Sequence, residues 1–511
     1  MQPDLTVEVG SLRRSLCARQ IQMLAFGGTI GTGLFLGIGS SLAESGPAAL
    51  LLSFCIIGVS VYCTMLALGE MAVYMPVAGS FCTYVGKYVD ESLSFALTWN
   101  YWLNDTIALA SHVLASRLLV DFWLPDTTPS IANTSFSENV GIRCTREIVR
   151  TATPIISLLV NIGLNMLPVD GFGEIEYWLA AIKVFTVALF CVIGVITNMG
   201  VNKENEFIGF RYWKDPGAFH NGVGGFISSF VNAAFAFAGT ESIAIAAGEA
   251  LNPVKSLPKA IRSMSYRVLT LYILGVIVVG INIPYNTPGL NGDSIRMSPF
   301  TLVFQKFGVP GAASLMNAVV LSSALSAGNH SLFAGTRLLY SLAQAGHAPK
   351  IFSKCNRHGI PWLAVLATSI LAIFSLLSSH AGKTWSFLLN VIAVSNQLSW
   401  TFIGFTSLRF RKALRVQAKT HRLLFPNWTY PIGPHLVIVL NVVFLILQGW
   451  KSFFPFRFSL FLSYYVEIPL VLGLYLVWKF YHRTKLLRPT EMDLDTHWHD
   501  PALPAEESVQ A

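Results

Sequence analysis

Long apolar runs recur along almost the whole chain, and they restrict the fold more than any other feature. Each is close to the roughly 20 residues that an α-helix needs to cross the hydrocarbon core of a bilayer. The predicted spans lie near residues 21–42, 47–69, 93–120, 152–168, 176–198, 226–248, 265–284, 310–336, 361–379, 384–408, 432–450 and 462–481. Only 12% of the 511 residues are charged, against about 25% in soluble proteins. We therefore predict an all-α, polytopic membrane protein with twelve transmembrane helices.

The connections between the spans indicate an orientation. Lys and Arg are about twice as frequent on the side that holds the N-terminus, as is typical of cytoplasmic loops. We therefore expect two cytoplasmic tails, 1–20 and 482–511, around a transporter-sized domain over 21–481. No small-residue cleavage site follows the first span, so we expect that span to be retained.

Neither the basic residues nor the cysteines indicate a nucleic acid, a metal or a cofactor. The cluster RFRKALR at 409–415 is interpreted as an inner loop beside anionic membrane lipids. The seven cysteines form no CxxC pair, so we expect no disulfide framework, no metal site and no cofactor. The sequence Asn133-Thr134-Ser135 falls in a predicted outer loop and would accept a glycan in a eukaryotic cell.

Glycine interrupts two of the spans. The first contains FGGTIGTGLFLG from residue 26 to 37, although each glycine inside a helix costs roughly 1 kcal/mol relative to alanine. Either these glycines allow close helix packing, or the helix is unwound there. The sixth span carries Gly-Thr-Glu at 239–241, five spans later. Paired breaks favour an inverted-repeat transporter with a site at the bilayer midplane, and their amide and carbonyl ends suit a zwitterion.

Five longer stretches resemble a known family. They read AFGGTIGTGLFLGIG, LALGEMAVYMPV, AAFAFAGTESIAIAAGEALNP, SPFTLVFQ and SALSAGNHSLFAGTRLLYSLAQAGHAPKIF. Through them, and over about residues 18–490, the chain resembles the amino acid permeases of the amino acid, polyamine and organocation superfamily. GFGEIEYW, IGFRYWKDPGAF and QGWKSFFPF resemble fungal plasma-membrane permeases, especially those for basic amino acids, and several stretches are similar to bacterial lysine permease.

The resemblance implies a LeuT-like fold, in which the first ten helices form two inverted five-helix repeats and two helices are added. It also implies proton-coupled import of an amino acid. Residues 29–33 match the segment that holds the substrate's carboxylate and amino groups. Phe235 matches an aromatic that gates the pocket, and Glu241 the acid of the sixth-helix break. Lys183 matches a fifth-helix lysine that occupies the position of a coupling sodium ion in relatives.

Physical reasoning also makes Lys183 and Glu241 functional candidates. A charge inside a span costs several kcal/mol unless it is paired or faces water. Because burial disfavours the charged form, either group could load and unload a proton. An alternative is that Lys183, near the start of its span, snorkels to the interface. Asn329 and His330 fit a hydrogen bond between helices as well as a ligand contact.

Two spans depart from the family pattern. His112 stands where relatives usually carry a glutamate, and an imidazole is a poor partner for a basic substrate. In the tenth span, Ile392 and Ala393 replace small residues, while Asn396 and Gln397 add amides. Asp105, on the span of His112, either restores a negative charge near the pocket or lies at its inner rim. The substrate's identity therefore stays open between basic amino acids and others.

These inferences define one predicted site and three rival functions. The predicted proton-coupling residues are Lys183 and Glu241, and the predicted substrate-binding residues are Thr29, Ile30, Gly31, Thr32, Gly33, His112, Phe235, Ala236, Thr240, Glu241 and Asn396. The favoured function is an amino acid importer, whose partners are its substrate, protons and membrane lipids. A non-transporting amino acid receptor is the second hypothesis. A membrane enzyme is the third, and it is disfavoured because the sequence lacks HExxH, GxSxG and GxxxxGK[ST].

Overall fold

The computed structural model describes residues 17–77, 79–124, 136–245, 249, 253–290, 298–376, 381–453, 455–496 and 498. In these ranges the regular structure is helical, apart from one isolated bridge between Phe453 and Phe456. The α-helices are α1 Ala18–Thr29, α2 Ile38–Ser45, α3 Pro47–Tyr74, α4 Ser80–Tyr88, α5 Glu91–Val120, α6 Phe136–Asn165, α7 Val169–Asn198, α8 Gly222–Ala236, α9 Ser242–Ile245, α10 Pro253–Asn282, α11 Pro299–Phe307, α12 Ala312–Gln344, α13 Trp362–Leu376, α14 Ala381–Val416, α15 Ile432–Leu447, α16 Phe458–Tyr465 and α17 Glu467–His482.

Within the described ranges, the helices account for the predicted spans. Eight are long and apolar enough to cross a membrane, and α16 with α17, bent by 50°, makes a ninth. Two shorter apolar helices, α8 and α13, correspond to the sixth and ninth predicted spans. The eighth is α12, a helix of 33 residues with more polar groups. The chain is thus an all-helical, multi-pass membrane protein, as the apolar runs predicted.

Several helices continue beyond the apolar part of their span. The seventh was predicted from residue 265, but α10 begins at Pro253. The prediction of a loop at 409–415 was wrong, because α14 remains helical to Val416. In this last part of α14, Arg411 forms an ion pair of 2.5 Å with Glu70 at the end of α3. Hydrophobicity marks only the stretch inside the lipid, whereas backbone hydrogen bonding carries a helix further into water.

Helix α5 lies at the centre of the bundle, where it packs against α12, α13, α14 and α17. The outer faces of the peripheral helices carry exposed apolar side chains, such as Phe185 on α7 and Val439 on α15, as expected for surfaces in contact with lipid. Polar side chains, in contrast, are concentrated inside. The site described below lies where α5 and α12 meet the two interrupted spans.

The segment after α17, residues 483–496, lies against the ends of α3 and α4. The Tyr74 hydroxyl donates to its backbone at 2.9 Å, and Lys87 Nζ lies 3.1 Å from the Asp493 carboxylate. Burial alone would raise the pKa of Asp493, but hydrogen bonds from Thr496 and Lys87 bring that pKa down to about 2. The segment is therefore held partly by charge. The predicted glycan acceptor at 133–135 and the predicted tail up to residue 16 lie outside the described residues.

Candidate functional site

The first glycine-rich span is interrupted over two residues. Helix α1 ends at Thr29, and Ile30 has an extended backbone with ψ of 92°. Gly31 follows outside regular structure, and the chain then re-enters a helix whose first full turn, Gly33–Gly37, has π geometry. The unwound interpretation therefore holds at Ile30 and Gly31. The break is narrower than the glycine pattern indicated.

Three side chains from three other helices satisfy the carbonyl groups around this break. Lys183 Nζ on α7 donates to the oxygen of Gly27 at 2.7 Å, the Tyr272 hydroxyl on α10 to that of Thr29 at 2.7 Å, and Ser323 Oγ on α12 to that of Ile30 at 3.1 Å. The carbonyl end of the break is thus occupied by protein donors. At the start of the second helical piece, the first N–H groups lack intrahelical acceptors and form the positive end of a helix dipole. This end of the site suits an anionic group.

The second break directly contacts the first. Helix α8 ends at Ala236, and residues 237–241 form turns before α9. Gly239 has φ of +79°, which favours glycine, and a Cβ added there would lie 3.2 Å from the oxygen of Gly28. A Cβ on Gly33 would lie 2.5 Å from Cα of Ala236, so glycine is needed for this approach. The packing interpretation therefore also holds, at other glycines of the same motif.

One tyrosine hydroxyl connects the two breaks. Besides its contact with the first, the Tyr272 hydroxyl lies 2.9 Å from the oxygen of Ala236 in the second. Its single proton is shared between the two carbonyl groups. The Tyr272 ring is fully buried, and its centroid lies 4.7 Å from that of Phe237. The two breaks therefore share one buried hydrogen-bond donor.

A small cavity of about 30 Å³ lies beside the breaks, with room for about two water molecules. We call it the central cavity. Its walls come from both breaks and from α5, α12 and α14, and consist of Gly28, Thr29, Gly31, Gly33, Asn104, Asp105, Ala108, His112, Phe235, Ala238, Gly239, Ser242, His330, Ser331 and Ile392. This volume is too small for an amino acid, so a substrate of that size requires the walls to move apart.

Two imidazoles stand at the end of the central cavity near the first break. His112 Nδ1 lies 3.0 Å from the Thr32 hydroxyl. His330 Nε2 lies 2.5 Å from the Ser242 hydroxyl, so this ring contacts the second break. Both rings are buried and within electrostatic range of Lys183. His112 thus lies beside the first break, whereas His330 touches both breaks.

Two carboxyl groups lie further along α5 from His112, Asp105 in the cavity wall and Glu241 behind it. Glu241 is fully buried and accepts hydrogen bonds from the Tyr101 hydroxyl at 2.7 Å and from the Thr240 hydroxyl at 3.0 Å. Asp105 lines the cavity within electrostatic range of Glu241. Its Oδ2 is buried and makes no hydrogen bond to any described residue. Along α5 the cavity wall therefore runs from the His112 imidazole beside the first break to the Asp105 carboxyl group, and Glu241 lies behind the wall.

Behind the first break lies a buried polar cluster around Glu176 of α7. Its carboxylate accepts from Ser326 at 2.8 Å and from Asn329 at 2.5 Å, both on α12. A Cβ added to Gly27 would lie 2.7 Å from Glu176 Oε2, so the carboxylate is close to the backbone of the break. Glu176 also lies within electrostatic range of Lys183, two turns further along α7. Lys183 and Glu176 thus flank the same break.

A second, larger cavity of about 310 Å³ opens along α5 towards its N-terminus. Its walls consist of Thr83, Gly86, Lys87, Glu91, Ser94, Thr98, Ser341, Leu342, Ala345 and His347. One stripe of α5 lines both cavities, since positions 91, 94 and 98 are followed at helical spacing by 105, 108 and 112. Tyr101, which bonds to Glu241, stands on this stripe between them.

The predicted substrate residues fall into two layers. The cavity wall contains Thr29, Gly31, Gly33, His112 and Phe235. The remaining members adjoin this wall from behind, and they are Ile30, Thr32, Ala236, Thr240, Glu241 and Asn396. Asn396, for example, accepts at 3.3 Å from Asn104, which does line the cavity. The roles of these residues in binding stay predictions.

The open alternatives are resolved by geometry at three residues. Lys183 is 1% exposed and points to the break, so it does not snorkel to the interface. Asn329 forms hydrogen bonds with Glu176 of α7 and Asn165 of α6, so it connects helices, as the first of its two alternatives predicted. His330, in contrast, lines the central cavity.

Sequence reasoning missed two residues of this region, Glu176 and Tyr272. The signal for Glu176 was its spacing from Lys183, because residues seven positions apart lie on the same face of a helix. Tyr272 gave no such signal, since nothing in an apolar run distinguishes a tyrosine that packs from one that bridges two breaks. Its role depends on chain segments that are far apart in sequence.

An all-helical membrane protein in which two interrupted spans enclose a buried, polar cavity is a transporter for a small solute. The chain belongs to the amino acid permease family, whose model matches residues 20–489. It is 74% identical to a probable amino-acid permease of Schizosaccharomyces pombe, over 97% of each chain. It is 40% identical to a lysine-specific permease of Lactococcus lactis, over 95% of this chain and 93% of that one. It is 36% identical to a proline-specific permease of Emericella nidulans, over 95% and 88% respectively.

Proposed function

We propose that this permease is a secondary active importer that couples the uptake of a basic amino acid to protons. We also propose that it acts at the plasma membrane with both termini in the cytoplasm, following the excess of Lys and Arg on that side. The observation that carries the proposal is the meeting of two broken helices at one polar cavity, bridged by Tyr272. Catalysis is no part of this function.

The first break supports recognition of the main chain of an amino acid. Lys183, Tyr272 and Ser323 occupy carbonyl groups there, so the N–H groups of residues 31–33 are the backbone groups left for a carboxylate. The substrate's ammonium group would meet the opposite polarity, at carbonyl groups and side chains of the second break. In this arrangement Phe235 covers the bound amino acid, because its ring lies 6.3 Å from that of His112, across the cavity.

Two buried groups support proton coupling. Lys183 donates to the oxygen of Gly27 and lies within electrostatic range of Glu176, so a change in its charge alters the charge balance beside the first break. Glu241 holds Tyr101 between the two cavities, so a change in its charge alters the barrier there. A proton that moves down about 100 mV contributes about 2.3 kcal/mol, enough for a near fiftyfold gradient. Each proposed coupling group thus acts on a different part of the path.

The stripe on α5 favours transport over simple reception of a ligand. A receptor needs one site, whereas here a second cavity continues along the same helix face beyond Tyr101. Opening of the contact between Tyr101 and Glu241 would join the two spaces into one path. The second cavity contains the pair Glu91 and His347, 3.3 Å apart, which gives it polar walls suited to a hydrated solute.

The relatives' names leave the substrate open, because one is lysine-specific and another proline-specific at nearly the same identity. A basic substrate is favoured by the Asp105 carboxyl group in the cavity wall and by that of Glu241 behind it. A neutral side chain would leave both without a cation. Proline would also lack one of the N–H donors that a primary ammonium group supplies.

The test is uptake of labelled lysine, arginine, histidine, proline and glutamate into cells that lack their own permeases, at pH 5 and pH 7.5. We expect accumulation of lysine and arginine that persists without sodium and collapses with a protonophore. Glu241→Gln should abolish concentrative uptake at normal membrane abundance. Glu204→Gln, at an exposed position between α7 and α8, is the matched control and should behave as wild type. Strict sodium dependence, or normal accumulation by Glu241→Gln, would refute the coupling.

A further inference from the structure

One carboxylate in the wall of the central cavity has no described partner for its buried oxygen. Asp105 is 7% exposed and lines the cavity, and its Oδ2 makes no hydrogen bond to a described residue. A buried carboxylate without a partner is costly, and proteins retain one mainly where a cation or donor completes it. The usual partners, Lys and Arg, do not occur among the described residues of this wall.

The neighbouring groups extend this unpartnered surface. Asn104 Nδ2 donates to Asn396 Oδ1 at 3.3 Å, while Asn104 Oδ1 and Asn396 Nδ2 are buried and find no partner in the described part of the chain. Asn104 lines the cavity beside Asp105. The oxygens of Asp105 and Asn104 therefore offer two acceptors, which matches the several N–H donors of an ammonium or guanidinium group.

The separation along α5 has the right length for a basic amino acid. Asp105 and His112 lie on one face, and seven residues of helix separate their Cα atoms by roughly 10 Å. Six single bonds of about 1.5 Å join the carboxyl carbon of lysine to its side-chain nitrogen, so the extended molecule spans roughly 7 Å. The extended molecule is therefore shorter than this separation, so its cationic end can lie near Asp105 while its main chain lies near the first break.

We propose that Asp105, assisted by Asn104, forms a subsite for the cationic side-chain end of a basic amino acid. The inference rests on the proposed function in one respect, since it takes the substrate's main chain to lie at the helix breaks. It also removes the conflict at His112. That imidazole contacts Thr32 at the main-chain end, so it does not face the substrate's cation, and the negative charge stands two turns away.

The experiment compares each basic amino acid with a neutral analogue of the same length, lysine with norleucine and arginine with citrulline. In wild type we expect uptake of the basic member and little of the neutral one. Asp105→Asn should raise the KM for lysine about ten- to hundredfold, the range for a lost hydrogen bond to a charged group. Uptake of norleucine by this variant should change less than about twofold. Asp105→Glu should keep the preference for lysine.

Asp170→Asn is the matched control, because this aspartate is exposed at the start of α7, outside both cavities. An unchanged KM for lysine in Asp105→Asn would overturn the subsite, and so would equal transport of norleucine and lysine by wild type. Binding can also be compared without measuring transport. For this purpose the rise in melting temperature that lysine or norleucine causes is measured with the purified full-length protein. In one outcome, wild type accumulates no amino acid, yet lysine raises the melting temperature of wild type and does not raise that of Asp105→Asn. The importer proposal then fails and the subsite stands. If lysine and norleucine stabilise wild type equally, the subsite fails.

Discussion

The bridge formed by Tyr272 leads to a sharp prediction about how the two breaks cooperate. Tyr272→Phe removes one hydroxyl that lies 2.7 Å from the oxygen of Thr29 and 2.9 Å from that of Ala236. The ring stays packed against Phe54 and Phe237, so little else changes. Loss of a buried donor costs about 1–3 kcal/mol when its acceptors remain without a partner. That free energy corresponds to about a 5- to 150-fold change in the balance between conformations.

We expect this change to appear as weaker substrate binding at normal membrane abundance. The hydroxyl favours the arrangement in which both breaks are aligned at the cavity, and apparent affinity falls in proportion to the population of the competent state. The KM of the accumulated amino acid should therefore rise at least fivefold. Tyr266→Phe is the control, since Tyr266 lies on the same helix but is 72% exposed. A KM and a maximal rate of Tyr272→Phe within twofold of wild type would show that the bridge does not couple the breaks.

Three further predictions concern other parts of the molecule. Glu176→Gln removes the negative charge beside Lys183, while its amide oxygen can still accept from Asn329 and its NH2 group can donate to the Ser326 hydroxyl. We expect a shift in the pH profile of uptake, and an unchanged profile would separate Glu176 from coupling. His112→Glu adds an acid at the main-chain end, so we expect weaker uptake of lysine, measured as KM, whereas tighter uptake would contradict the assignment of the cation to Asp105. The depressed pKa of Asp493, about 2, means that its contacts stabilise the segment 483–496 above pH 4 and are lost between about pH 4 and 2. The protection of this segment against hydrogen exchange, taken relative to the intrinsic rate at each pH, should fall over that range, and in Asp493→Asn it should already be reduced at pH 6.

The sequence predicted the spans and the breaks because both depend on local properties. A hydrophobic run of about 20 residues or a cluster of glycines can be recognised within one short segment of the sequence. No information about distant segments is needed. The glycine motif still allowed two explanations, and the structure uses both: Gly31 lies in the unwound stretch, whereas Gly33 permits close approach to Ala236.

The remainder depended on contacts between distant segments. Arg411 continues α14 and pairs with Glu70, more than 300 positions earlier in the chain, which no local pattern at 409–415 reveals. The position of Asp105 in the cavity wall could be stated only as one of two alternatives, because an acid on a span faces the site or its rim according to the rotation of the helix. That rotation is set by packing against α12 and α14.

The arrangement around the first break also suggests why a lysine is used there rather than another donor. Tyr272 and Ser323 are neutral, and their hydrogen bonds to the break are independent of pH over the physiological range. Lys183 makes an equivalent hydrogen bond to the oxygen of Gly27. A neutral amine can still donate such a hydrogen bond, so loss of a proton from Lys183 need not break it. What changes is the balance with Glu176, whose negative charge then stands beside the break without compensation. If Lys183 carries the coupled proton, release of that proton leaves the negative charge of Glu176 to repel a substrate carboxylate at the same break. Substrate and proton would therefore leave together.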